Sequence, residues 1–176
     1  GSCTLYANTT GANNTGVGFM ALKANTCGGC NTAVGMCSLA SNTTGCQNSA
    51  LGYEALRSNT TGGLNTASGY RALRNNTTAS SNTAVGRRAL YQTTTGASNT
   101  AVGYKSLDAN TTGVNNVALG SQALLAKTTG SYNVAVGTDS QQNTTTASYN
   151  TSVGNCSLFA NTSGANNVGV GYSTLK

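Results

Sequence analysis

One residue type returns on a fixed beat. Asparagine stands at Asn14, Asn31, Asn48, Asn65, Asn82, Asn99, Asn116, Asn133, Asn150 and Asn167, always 17 residues apart, with no insertion or deletion. Each opens a phrase close to Asn-Thr-Ala-Val-Gly, as at Asn31–Gly35, Asn82–Gly86 and Asn99–Gly103. A strict period this short is the signature of a solenoid, in which each unit packs only on its neighbours. The period predicts an all-β fold: one continuous β-solenoid over residues 1–176, of about ten 17-residue turns.

Composition supports this reading by exclusion. Only 7% of residues are charged, and a disordered chain of low hydrophobicity would carry high net charge instead. Here polar and apolar residues recur in register. No apolar run approaches the roughly 20 residues of a membrane helix, so no membrane insertion is expected. No basic start with an apolar stretch marks a signal peptide. The net charge of +6 fits solubility first. An anionic ligand is the sharper alternative, given the cluster Arg71, Arg74, Arg87 and Arg88.

Numbering each turn from its Asn assigns a role to each slot. Slots 2 to 4 read as a short β segment with alternating faces. Slot 3 is mostly Ala and slot 4 mostly Val or Leu, so the strand is expected to be covered on both sides. One cover is the turn's own core; the other is a second chain, with Ala allowing close approach. Slot 5 is always Gly: Gly18, Gly35, Gly52, Gly69, Gly86, Gly103, Gly120, Gly137, Gly154 and Gly171. It is read as a corner whose backbone angle or close contact excludes a side chain. Slots 8 and 9 read as a second short strand with its Leu pointing in, which gives a core of Leu22, Leu39, Leu56, Leu73, Leu90, Leu107, Leu124 and Leu158 with slot-4 Val. Gln141 is the exception in that column. Slots 12 to 15, Asn-Thr-Thr-Gly, read as a return turn in which Asn and Thr bond their own backbone and Gly takes the strained angles. All twelve charges fall in slots 6, 7, 10 or 12, so that corner is expected to face water. Stacking repeats each slot about every 4.8 Å. The slot-1 Asn residues then form a hydrogen-bonded ladder, as Asn does in cross-β arrays, along a rod on the order of 48 Å.

The phrase Asn-Thr-Ala-Val-Gly-x-x-Ala-Leu resembles the head repeat of trimeric autotransporter adhesins of the YadA type, Asn-Ser-Val-Ala-Ile-Gly-x-x-Ser. It is also similar to repeats of phage and large-virus fibres. The matching positions are the slot-1 Asn, the apolar pair of slots 3 and 4, the slot-5 Gly and the small residue of slot 8, and the resemblance spans the whole chain. The turn here is longer, by the Asn-Thr-Thr-Gly insert. The resemblance implies a left-handed parallel β-roll, homotrimeric packing or stacking into a filament, and an extracellular, cell-surface or virion-surface fibre that adheres to a host surface, matrix or polysaccharide.

Other motifs are weaker. Cys27-Gly-Gly-Cys30 has a CxxC spacing, but no His and no second CxxC accompany it, so no metal site is expected. Stacking brings Cys30 (slot 17) and Cys46 (slot 16) near each other, a candidate disulfide in an oxidising setting. Cys3 and Cys37 share slot 7 two turns apart, roughly 9.6 Å, too far to pair. Asn-x-Thr/Ser sequons, such as those at Asn8, Asn42, Asn59, Asn76, Asn110, Asn143 and Asn161, read either as glycan acceptors or as turn chemistry. Catalysis has no candidates: no His occurs, and Glu54, Asp108 and Asp139 lie in different turns. No cofactor and no nucleic-acid partner is expected. Neither end carries a polar cap, which suggests a window of a longer fibre or a subunit that stacks head to tail. The expectation is a non-catalytic structural or adhesive fibre segment. The competing reading is a solenoid that binds polysaccharide or ice through Thr and Asn ladders. It is weakened because adjacent Thr in slots 13 and 14 should point to opposite sides.

Overall fold

A computed structural model describes residues 1–175. Ten three-residue strands run from β1 (Thr15–Val17) to β10 (Val168–Val170). They form one parallel sheet in sequence order. Every pairing is offset by one period, as in Thr32↔Ser49 and Ala33↔Ala50. The chain is therefore a β-solenoid, and ten strands bound nine complete 17-residue turns.

Slot 5 shows why Gly is demanded. Gly35 has φ +131, and a Cβ there would sit 2.5 Å from the carbonyl oxygen of Gly52 one turn away. Both reasons offered by the sequence hold. The slot-15 Gly column differs from expectation. Its φ is not in the left-handed region; instead a Cβ on Gly28 would lie 2.6 Å from Asn25 Oδ1. Close approach, not strained angle, keeps slot 15 small.

The predicted second strand is absent. Slots 6 to 11 form consecutive turns in which slots 7 and 9 take left-handed φ without glycine: Met20 (+58) and Leu22 (+52), Glu54 (+53) and Leu56 (+51), Arg88 (+61) and Leu90 (+52). Slot 17 does the same, as at Gln47 (+59). Such angles cost about 1 kcal/mol or more per non-Gly residue. They persist because they aim each N–H at a neighbouring turn. Glu54 donates to Met36 at 2.9 Å, Leu39 to Ala55 at 3.0 Å, and Gln47 to Gly29 at 3.0 Å. The backbone ladder thus runs around the corner, not only through the sheet.

The core also departs from expectation. Slot-9 Leu is buried as read: Leu22, Leu39, Leu56, Leu73, Leu90, Leu107, Leu124 and Leu158 are at most 2% exposed. Its partner is not slot-4 Val. Ala33, Ala84, Ala101 and Ala118 of slot 3 are fully buried, whereas Val85 and Val102 of slot 4 are 38% and 37% exposed. The strand is inverted relative to the expected facing. The cause is the narrow interior, where slot 3 packs directly on slot 8 and one large side chain per turn suffices. That contact limits size. Where slot 8 holds the larger Thr4, slot 3 of the next turn is Gly16, and a Cβ there would lie 2.6 Å from Thr4 Cγ2. In the turn that carries Gln141, a polar trio replaces the pair: Gln141 Nε2 donates to Ser152 Oγ at 2.9 Å, beside Ser140.

Two asparagine columns line the turns. In slot 1, Asn31 Oδ1 accepts from the Asn48 backbone N–H at 2.9 Å and from Asn48 Nδ2 at 3.1 Å. Asn48 Nδ2 also donates to Gly62 O at 2.9 Å, which ties the strand to its own return turn. Asn31, Asn48, Asn65, Asn82, Asn99, Asn116, Asn133 and Asn150 are buried; Asn14 and Asn167 are half-buried. The second column, in slot 12, does more than the turn chemistry expected of it. There Asn42 Nδ2 donates to Asn25 Oδ1 at 2.8 Å, and Asn59 and Asn76 continue the chain at 2.7 Å each. Because Asn42, Asn59, Asn76 and Asn110 are fully buried, those sequons are structural.

Candidate interaction surfaces

The inversion of the strand puts a stripe of side chains outside. Slot 2 supplies Thr, Ser or Val and slot 4 supplies Val or Leu, and both face away from the core along all ten strands. Val17 is 54% and Leu51 56% exposed. No charged residue stands in slots 1 to 5, so the sheet face is uncharged, with an apolar slot-4 column beside a slot-2 column of mostly Thr and Ser. Where Ser68 replaces the slot-4 Val, the stripe dips into an apolar depression of about 360 Å³ lined by Val34, Ser49, Leu51 and Thr66.

The corner after slot 5 carries charge, with exceptions. Lys127 (slot 12) does not face water with the other charges; it is fully buried, because it replaces an Asn of the second ladder. Its ammonium hydrogen-bonds to the Ala147 carbonyl, and burial pushes its pKa down to about 8. Lys176 lies outside the described residues. Glu54 and Asp108 are also largely buried. Burial raises the Glu54 carboxyl, but hydrogen bonds from Arg74 and Arg71, with the nearby charges of Arg74 and Arg57, outweigh it and hold it below the usual range. Asp108 meets Arg88 through two bonds of 3.0 Å. Burial dominates there and its carboxyl is raised.

Cys30 and Cys46 stand as free thiols in this structure. The Cys46 thiol accepts from the Gly29 N–H of the neighbouring turn and donates to the Thr44 carbonyl of its own loop, each at 3.3 Å. Slot-13 Thr hydroxyls are consumed between turns, as in Thr43 to Thr60 O at 3.1 Å, and only the slot-14 column is left exposed. Among the described residues, no group of three or more His, Cys, Asp or Glu is placed to hold a metal ion. No helix is long and apolar enough to cross a membrane.

Faults in the ladders escape sequence reasoning. Asn76 Oδ1, Thr93 Oγ1, Asn110 Oδ1 and Gln141 Oε1 are buried without a partner. Each is at, or stacked against, a slot that breaks its column: Thr93 and Lys127 in slot 12, Gln141 in slot 9. The available signal is the rare departure within an otherwise constant column. No family model matches this chain, and no curated protein or solved structure matches it.

Proposed function

We propose that the chain is a non-catalytic structural or adhesive fibre segment whose copies join side by side through the sheet face. The supporting observation is the outward slot-2 and slot-4 stripe. Ten strands at about 4.8 Å spacing extend it over about 43 Å, and a width of about 12 Å gives about 500 Å² per copy. Two such faces bury about 1,000 Å², the lower bound for a specific interface. A second copy is the natural occupant. Its face has the same pitch, so turns can fall in register along the whole length, and no charge in slots 1 to 5 opposes contact. A patch of this size lies at the upper end of those on monomers, where the largest patch is often functional. Resemblance to adhesin and viral-fibre repeats supports a cell or virion surface as the setting.

The test is sedimentation of the full chain across a concentration range, against Val85→Glu/Val102→Glu. Both sites are already exposed, so the folded turn tolerates the change. The parent should sediment faster than a 17.5 kDa particle and the variant as one. Parent and variant both sedimenting as 17.5 kDa particles would remove the reading.

A further inference from the structure

A second surface lies beyond the corner, in slots 6, 7 and 10, and it concentrates charge. Residues 54–108 hold six cations (Arg57, Arg71, Arg74, Arg87, Arg88, Lys105) against two carboxylates (Glu54, Asp108). They sit in four consecutive turns, so the ridge runs straight along the axis for about 14 Å. Its net charge of 6 − 2 = +4 is most of the chain's +6. Glu54 is shared by three arginines, with Arg71 and Arg74 at 2.8 Å and Arg57 at 3.5 Å. Asp108 is taken by Arg88. Arg87 and Lys105 form no salt bridge among the described residues.

Aromatic rings hold these cations in place. Arg87 lies between Tyr70 (5.7 Å) and Tyr104 (5.6 Å), Lys105 lies over Tyr104 (5.4 Å), and Arg88 over Tyr91 (4.5 Å). A guanidinium stacked on a ring keeps its N–H edge free for a planar or tetrahedral oxyanion. The rings themselves are occupied, since Tyr53 stacks on Tyr70 at 5.3 Å. Nucleobases bind by stacking on open aromatic faces, and this ridge offers few. Beside it, Asn75 donates to Gln92 Oε1 at 2.9 Å, which leaves the exposed Gln92 amide N–H groups beside the cations as donors to hydroxyl oxygens.

We propose that this tyrosine-braced basic ridge binds an acidic polysaccharide, a chain carrying sulfate or uronate groups, laid along the fibre axis with Arg87 and Lys105 as its main anion contacts. The linear run of cations fits an extended polyanion, and the exposed Gln92 amide beside it fits sugar hydroxyl oxygens. The ridge acts whether or not copies pair through the sheet, because none of its residues belongs to slots 2 to 4.

The test uses the full chain with heparin as probe, neutral dextran and a single-stranded DNA oligomer of equal charge as comparisons, and a salt titration. Heparin should bind and dextran should not, with log affinity falling linearly in log salt through counterion release. Arg87→Gln/Lys105→Gln removes no salt bridge and loses only exposed cation–π contacts to Tyr70 and Tyr104, so its melting temperature should fall by no more than a few degrees. It should weaken heparin binding about thirtyfold at low salt and lower the salt slope by about one to two. Lys23→Gln, outside the ridge, should leave affinity within about twofold. Four results would each overturn the proposal: no heparin binding at about 50 mM salt, undiminished binding by the double variant, equal loss in Lys23→Gln, or tighter binding of DNA than of heparin.

Discussion

Lys127→Asn should stabilise the solenoid, by an amount that depends on pH. Lys127 is fully buried, with a carbonyl but no carboxylate for its ammonium. Burial lowers its pKa from 10.5 to about 8. One unit is about 1.36 kcal/mol of preference between protonation states, so the buried charge costs about 3 kcal/mol. The sign follows from proton counting. Between about pH 8 and 10.5 the unfolded chain holds a proton that the folded chain has released, so the stability of the parent rises with pH across that window. Below about pH 8 the full cost is present. The amide of the introduced asparagine would bond Asn110 Oδ1, which now has no partner. Its own Oδ1 would face Thr144, as Asn76 faces Thr93, so the hydrogen-bond count stays level and relief of the charge dominates. Ala147 O keeps its bond from Asn133 Nδ2 at 3.1 Å. Denaturant melts of parent and variant, each at about pH 7 and about pH 10.5, read the effect. The variant should lead by about 3 kcal/mol at neutral pH, or about 6–12 °C in Tm, and the gap should close toward zero at the higher pH. Equal midpoints at neutral pH, or a gap unchanged by pH, would refute the reasoning.

Three further outcomes follow from the same columns. Thr93→Asn should close one gap in the second ladder by satisfying Asn76 Oδ1, and calorimetry should find it stabilised by about 1–3 kcal/mol. Gly86→Ala places a Cβ 2.5 Å from Gly103 O at φ +130; a loss of more than about 2 kcal/mol is expected in urea melts, and no loss would remove the stacked-glycine argument. Ala89→Thr should overpack the contact between slots 8 and 3 and destabilise by about 1–3 kcal/mol. Adding Ala101→Gly, the pairing already present at Thr4 and Gly16, should recover part of that loss in a double-mutant cycle.

Register is the most legible property of the sequence, because 17-residue spacing stacks like on like. The rings of Tyr132 and Tyr149, one period apart, lie 5.1 Å from each other at 2°. Facing runs opposite to the sequence expectation for a physical reason. Thr-Ala-Val is apolar on both faces, and greater hydrophobicity favours Val as the inward residue. The interior is so narrow that size decides instead, and Ala goes in. The absent second strand has a different cause. Left-handed φ recurs in slot 7 at Cys37, Glu54, Arg71 and Asp139, residue types that carry no common turn signal, so only inter-turn hydrogen bonding reveals it. The second Asn ladder is visible in the sequence as Asn25, Asn42, Asn59 and Asn76, but local turn chemistry explains those residues well enough to hide their stacking.

Side-by-side contact of copies on the sheet face is tested most directly by mass per unit length. Small-angle scattering measures that quantity for rods and separates lateral association, which thickens a rod, from end-to-end stacking, which only lengthens it. One chain of 17.5 kDa on the order of 48 Å long gives about 0.36 kDa per Å. The parent should show at least twice that, falling to the single-chain value in Val85→Glu/Val102→Glu. A parent that holds the single-chain value at every concentration would contradict lateral pairing.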